Sequence, residues 1–169
     1  VSYEEVTYEG FGPGGIALLV ACLTDNKNRS ASEIRSLFGK NGGNMGSAGG
    51  VAWMFEKKGL IVVASSATTE DTLMETALNA GAEDMGAVGE TFQVTTAPSD
   101  LWVVREAVEK AGIKIESANL TMVPKNMTAV DAGTGRTVVK LIEALEDHDD
   151  VQNVYTNADI PDEVMKEIA

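Results

Sequence analysis

An α+β chain with two antiparallel sheets, each backed by helices on one face, is what the pattern of this sequence predicts. Three observations lead there. Segments of strand length either alternate apolar and polar residues or run apolar without a break. Between them lie stretches with apolar residues at helical spacing, and glycine or short polar residues punctuate nearly every junction. The 169 residues, 44% of them hydrophobic, suffice for one medium domain or two small ones with a real core.

Residues Tyr3 to Gly10 alternate in the manner of a half-buried strand, and Gly15 to Thr24 is a continuous apolar run suited to a central strand, with GFGPGG as the hairpin connection. A helix capped by Ser30 or Ser32 is expected to run to about Asn41, with Ile34, Leu37 and Phe38 inward, stopped by Gly42 and Gly43. Gly49 to Glu56 alternates again, which predicts a strand with Val51, Trp53 and Phe55 on one face. Leu60 to Ser65 is a β-rich run. Thr69 to Asn79 predicts a helix with Leu73, Met74, Ala77 and Leu78 inward, and Ala87 to Ala97 supplies one or two strands. Ser99 or Asp100 then caps a helix burying Leu101, Val104, Val108 and Ala111, and Ile113 to Val123 is extended. That β-α-β-β-α-β order is the ferredoxin-like split motif.

Thr134 to about Asp147 predicts a helix with Val138, Leu141, Ile142 and Leu145 inward, and Val151 to Thr156 a last strand. The first block, β-β-α-β, lacks a helix and a strand that this last segment supplies. The expected architecture is therefore two ferredoxin-like α/β sandwich domains, one inserted in the other: residues 1–57 plus 132–169, with 58–131 inserted.

No apolar run reaches the length of a membrane-spanning helix. The single Cys22 sits in IALLVACL, where it reads as a small buried hydrophobe without a disulfide partner. The net charge of −13 argues against a polyanion partner at first sight. Its distribution changes that reading. Residues 1–58 carry six basic and six acidic side chains, whereas the remainder carries seven and 20. A surface that meets phosphates is expected in the first 58 residues, and the acidic remainder faces solvent or a protein partner.

Gly10, Gly12 and Gly15 fit a G-x-G-x-x-G pattern, but Pro13 inside it and the strand-like run after it favour a turn over a dinucleotide loop. The second glycine cluster, Lys40 to Gly50, lacks the ending of a phosphate-binding Walker loop. Two readings stand for it: a flexible crossover, or a loop that touches a nucleic-acid backbone or a partner through Asn41, Asn44 and Ser47. Lys27, Asn28 and Arg29 lie at a strand-to-helix junction, where a helix N-terminus welcomes phosphate, and a solvated turn is the plainer alternative. With Arg35, Lys40, Asn41, Asn44, Lys57 and Lys58 they form the candidate nucleic-acid-binding set. Trp53 and Phe55 are assigned to the core rather than to base stacking, as are Trp102 and Tyr155. A lone His148 in EDHDD offers no metal geometry. With one His and one Cys no nucleophile-base set is available, so neither catalysis nor a cofactor is expected.

The segments YEGFGPGG (Tyr8 to Gly15), LTDNKNR (Leu23 to Arg29), FGKNGGNMG (Phe38 to Gly46) and GGVAWMFEKKG (Gly49 to Gly59) closely resemble the YebC/PmpR family of probable transcriptional regulators, which includes the mitochondrial translational activator of cytochrome c oxidase. The likeness continues more diffusely to the C-terminus. It implies the discontinuous fold just described and a missing basic, helix-rich N-terminal domain, so the chain is expected to be a piece of a longer protein. It also implies a non-enzymatic regulator of gene expression that binds nucleic acid, located in the cytoplasm, or in mitochondria for a eukaryotic parent. Promoter DNA and ribosomal RNA are the alternative targets, the latter for a translation factor relieving stalling. A ligand-sensing or protein-docking module is the remaining class. No helix in the chain is dense in base-reading Arg, Asn and Gln, which favours backbone and shape contacts over major-groove readout.

Overall fold

The computed structural model describes Ser2–Ile168. In chain order the elements are β1 (Glu4–Phe11), β2 (Ala17–Thr24), α1 (Lys27–Lys40), β3 (Asn44–Met45), β4 (Phe55–Ala64), α2 (Glu70–Asn79), β5 (Asp84–Val88), β6 (Thr91–Thr96), α3 (Leu101–Lys110), β7 (Ser117–Pro124), β8 (Thr128–Ala129), α4 (Ala132–Glu146), β9 (Val151–Thr156), β10 (Ala158–Asp159) and α5 (Asp162–Glu167). The chain divides into two units. One comprises Val1–Glu56 with Pro124–Ala169, the other Lys57–Val123.

In the first unit the sheet order is β3-β1-β2-β9, with every neighbour antiparallel. Strands β1 and β2 pair from Glu4↔Thr24 to Phe11↔Ala17, and the GFGPGG turn closes the hairpin with Gly14 and Gly15 at φ of 76° and 77°, a region that only glycine enters freely. Alternation along β2 sends Leu18, Val20 and Cys22, with Ile16 just before the strand, into a core shared with Ile34 and Phe38 of α1 and with Val138, Leu141 and Leu145 of α4. Both helices thus lie on one face of this sheet. A short parallel ladder, β8 with β10, adds a second, two-stranded sheet that the sequence did not signal.

The second unit has the order β5-β6-β4-β7, the arrangement of a β-α-β-β-α-β sandwich. Its core combines Ile61 and Val63 of β4, Phe92 and Val94 of β6, Leu73 and Ala77 of α2, and Leu101, Val104 and Val108 of α3. The first unit reaches an equivalent sheet by other connections. The edge-centre-centre-edge order is the same, but its two central strands, β1 and β2, are joined as a hairpin, and α4 with β9 arrives from the far end of the chain.

Several local expectations are corrected. Helix α1 begins three residues before Ser30, because Asn26 caps it by accepting the Arg29 N–H (3.1 Å), while Ser30 is buried against the Tyr8 hydroxyl (3.0 Å). Residues 49–56 are not one strand: Ala52–Met54 is a 3-10 turn, and the strand begins at Phe55. Trp53 and Trp102, assigned to the core, are 66% and 68% exposed, and Tyr155 is half-buried, whereas Phe55 is buried. Leu78 and Ala111 also face solvent, Leu78 because it lies at the flank of α2 rather than on the stripe that meets the sheet, and Ala111 because it is the residue that follows the last turn of α3. Asp100 leads into α3 from a 3-10 turn, Pro98–Asp100, without a side-chain cap bond.

Cys22 is 2% exposed. Burial, with the nearby Asp150 charge added, pushes its thiol up to about 11. At pH 7.5 a water-soluble disulfide reagent is therefore expected to label it only at the rate of unfolding, and labelling within seconds in the native state would contradict this packing.

Candidate nucleic-acid interface

Helix α1 carries most of the residues singled out from the sequence. Its inward stripe, Ser30, Ile34 and Phe38, leaves Asn28, Ser32, Arg35, Ser36, Gly39 and Lys40 exposed on the other side. These are short polar side chains and a glycine with two long cations among them, and Glu33, also exposed on α1, lies at the flank of this face beside Arg29 and His148. Arg35 and Lys40 form no ion pair among the described residues. Asn41 is occupied at the C-terminus of the helix, where its side-chain amide donates to the Leu37 carbonyl (2.8 Å).

The N-terminal end of α1 is committed differently. Lys27 pairs with Glu4 (3.1 Å). Arg29 donates to Asp25 (2.9 Å) and to the nearly buried Asp150 (3.2 Å), and lies 3.6 Å from Glu33. Its guanidinium thereby ties α1 to the turn before β9. His148 sits in the same turn, with its Nδ1 accepting the Asp150 N–H (3.1 Å) and its Nε2 3.6 Å from Glu33. Asn44 lies on edge strand β3 opposite Phe11. Lys57 and Lys58 belong to the second unit, where Lys58 pairs with Glu83 (2.7 Å) and Lys57 is exposed.

The glycine-rich segment is organised by a residue to which the sequence reading gave no role. Glu9 is 6% exposed, and its carboxylate accepts the N–H groups of Gly49 (2.6 Å), Val51 (2.8 Å) and Ala52 (2.6 Å). Its backbone carbonyl also accepts the Gly46 N–H (2.7 Å). Those bonds explain why 49–54 is not a strand: the amides a ladder would use are spent on a carboxylate. Burial by itself raises the Glu9 pKa, but the three amide donors together outweigh it and hold the carboxyl below the ordinary carboxylate range. Along β1, Tyr8 and Gly10 face α1, so Glu9 faces the opposite side of the sheet, and the Gly46–Ala52 loop folds over that side. The candidate set is thus divided between the helix layer, the β3 edge and the second unit.

A further cation went unnoticed in the sequence because it lies in the acidic part of the chain. Gly42, just past α1, lies beside Thr137 of α4, and Lys140, one turn further along α4, is exposed and forms no ion pair among the described residues. No group of His, Cys, Asp and Glu among the described residues is placed to hold a metal. No helix among them is long and apolar enough to cross a membrane.

Residues 3–158 match the family model described as the TACO1/YebC second and third domain. The chain belongs to that family. TACO1/YebC relatives include a probable transcriptional regulatory protein of Desulforapulum autotrophicum, 54% identical over 97% of this chain and 66% of the relative, and one of Desulfatibacillum aliphaticivorans, 56% identical over 99% of this chain and 68% of the relative. The chain therefore spans about two thirds of the length of these relatives. Among solved structures, a conserved hypothetical protein of Aquifex aeolicus superposes with a TM-score of 0.88 at 44% identity, over 94% of this chain and 66% of that one. The relatives are named as regulatory proteins, and the two-sandwich α+β fold is the one this TACO1/YebC chain adopts.

Proposed function

We propose that this chain is part of a non-enzymatic, nucleic-acid-binding regulator of gene expression acting in the cytoplasm, and that it grips the phosphodiester backbone through the outer face of α1. The observation that carries the reading is that face itself: Arg35 and Lys40, exposed and without ion pairs among the described residues, rise from a surface of Asn28, Ser32, Ser36 and Gly39, with Lys140 on the adjoining helix. The names of the relatives favour a transcriptional role with promoter DNA as target. RNA is the second reading, favoured by the composition of α1, whose exposed face offers short polar groups and two cations rather than a row of base-reading side chains. Both units carry net negative charge, so outside the α1 face their surfaces suit a protein partner or solvent rather than the polyanion.

Charge reversal tests this. The double substitution Arg35→Glu with Lys40→Glu is expected to weaken binding of RNA or DNA about 20-fold at moderate salt and to flatten the salt dependence by about two phosphate contacts. A charge-matched control, Lys114→Glu with Lys166→Glu, is expected to do far less. Equal losses in the two would remove the assignment to α1. Crosslinking in cells, with the same substitutions carried in a full-length relative and both nucleic acids sequenced, separates promoter sites from ribosomal RNA sites.

A further inference from the structure

Trp53 is 66% exposed at the end of a segment that is fixed on every side. Its indole N–H donates to the Gly50 carbonyl (3.1 Å), and the Met54 N–H donates to the Val51 carbonyl (2.9 Å). Glu9 holds the amides of Gly49, Val51 and Ala52, and the flanking Val51 and Phe55 are 1% and 4% exposed. A tryptophan that could swing freely would bury its ring against the nearest apolar surface. Here the backbone is anchored, the ring nitrogen is already satisfied, and the residue remains largely in water.

We infer that Trp53 is a stacking platform for a single unpaired nucleobase. Its exposed neighbours on the segment, Ser47 to Gly50 and Ala52, are small, so a second flat ring can approach. They also provide almost no apolar area, whereas a docked protein needs roughly 800 Å² per partner. One aromatic face is enough for one base. The Ser47 and Ala48 amides have no acceptor among the described residues, and they offer donors to the phosphate beside a stacked base. Helix α1 runs into β3, and β3 into this loop, so Lys40 and Trp53 belong to one continuous stretch of chain that passes the sheet edge from the α1 side to the loop side. The inference rests on the nucleic-acid reading above and adds to it that the target presents a base outside a duplex.

The chain has two tryptophans, so Trp102→Phe leaves Trp53 as the reporter. In that background, a short single-stranded RNA of mixed sequence is expected to quench the indole emission on titration, and its duplex is not. Trp53→Ala is expected to weaken single-strand binding about tenfold with the salt dependence unchanged, and Trp53→Phe to retain most of the affinity. Circular dichroism and melting confirm that the variants fold. Ultraviolet crosslinking is expected to leave a nucleotide adduct on the peptide carrying Trp53. If Trp53→Ala binds like its parent while the Arg35 and Lys40 reversal does not, stacking is overturned and the α1 interface stands. Failure of the unsubstituted chain to bind any RNA or DNA overturns both. Equal quenching by the duplex, or crosslinks from this peptide only to protein, overturns stacking alone.

Discussion

Replacing Glu9 by alanine is expected to lower the stability of the first unit by about 3 kcal/mol, because three buried or half-buried amides lose a charged acceptor at once and a cavity opens under the loop. Chemical denaturation measures this, and amide exchange should show faster opening of Gly49, Val51 and Ala52 than of the β1–β2 ladder. Glu9→Gln keeps one acceptor oxygen but turns an NH₂ group toward amide donors, so it recovers only part of the loss. The pH dependence has a definite sign. The folded carboxyl titrates below a glutamate's ordinary 4.5. Its contribution is therefore fully present above that value and disappears as the pH falls through the folded one. The stability gap between the parent and Glu9→Gln should accordingly be constant near neutrality and narrow on acidification below about 4.5. A gap that widened in acid would show that the carboxylate is not what holds the loop.

Gly10→Ala is expected to be nearly as damaging, at about 2.5 kcal/mol. A methyl at this position would sit 2.6 Å from the Phe38 ring and 2.7 Å from the Asn44 carbonyl oxygen. The ring can give way slightly, but the carbonyl belongs to the backbone of β3 and cannot do so without opening the sheet edge. A cycle with Phe38→Leu apportions the two clashes: removing the ring should restore about 1 kcal/mol to the alanine variant, and the remainder is the carbonyl. No coupling between the two positions would mean that β1 and α1 are not packed this closely. Both predictions concern neighbouring residues of β1, which point to opposite faces, so together they probe the two layers that meet at this strand.

Much of the fold was legible in the sequence because its signals are local. The apolar run of β2, the i, i+3, i+4 stripes of α1 and α4, and the glycines after helices each depend on residues within one turn or one strand, and each element is present. The β-α-β-β-α-β order likewise determined the second sandwich, since one strand order satisfies its short connections. The candidate site was legible only as composition. Counting charges pointed to the first 58 residues, but which cations are held by carboxylates depends on partners far along the chain: Arg29 meets Asp150, and Lys58 meets Glu83. Lys140 was hidden for the converse reason, lying in an acidic stretch that the fold lays beside α1.

What the sequence by itself determined is the four long helices, the long strands other than the start of β4, the strand pairing of the hairpin and the family motifs, while β3, β8, β10 and α5 carried no signal in it. What only the tertiary structure decided is the fate of residues 46–54. The alternation of Gly49 to Glu56 reads as a strand with Trp53 inside, and the period of two is a true local preference. A single carboxylate from β1, 40 or more residues away, takes the amides that a strand would need, turns the backbone into a 3-10 turn and leaves the indole in solvent. Hydrogen bonds between residues distant in the chain outweigh a local pattern when the acceptor is charged and buried, and no period in the sequence records where that acceptor will lie.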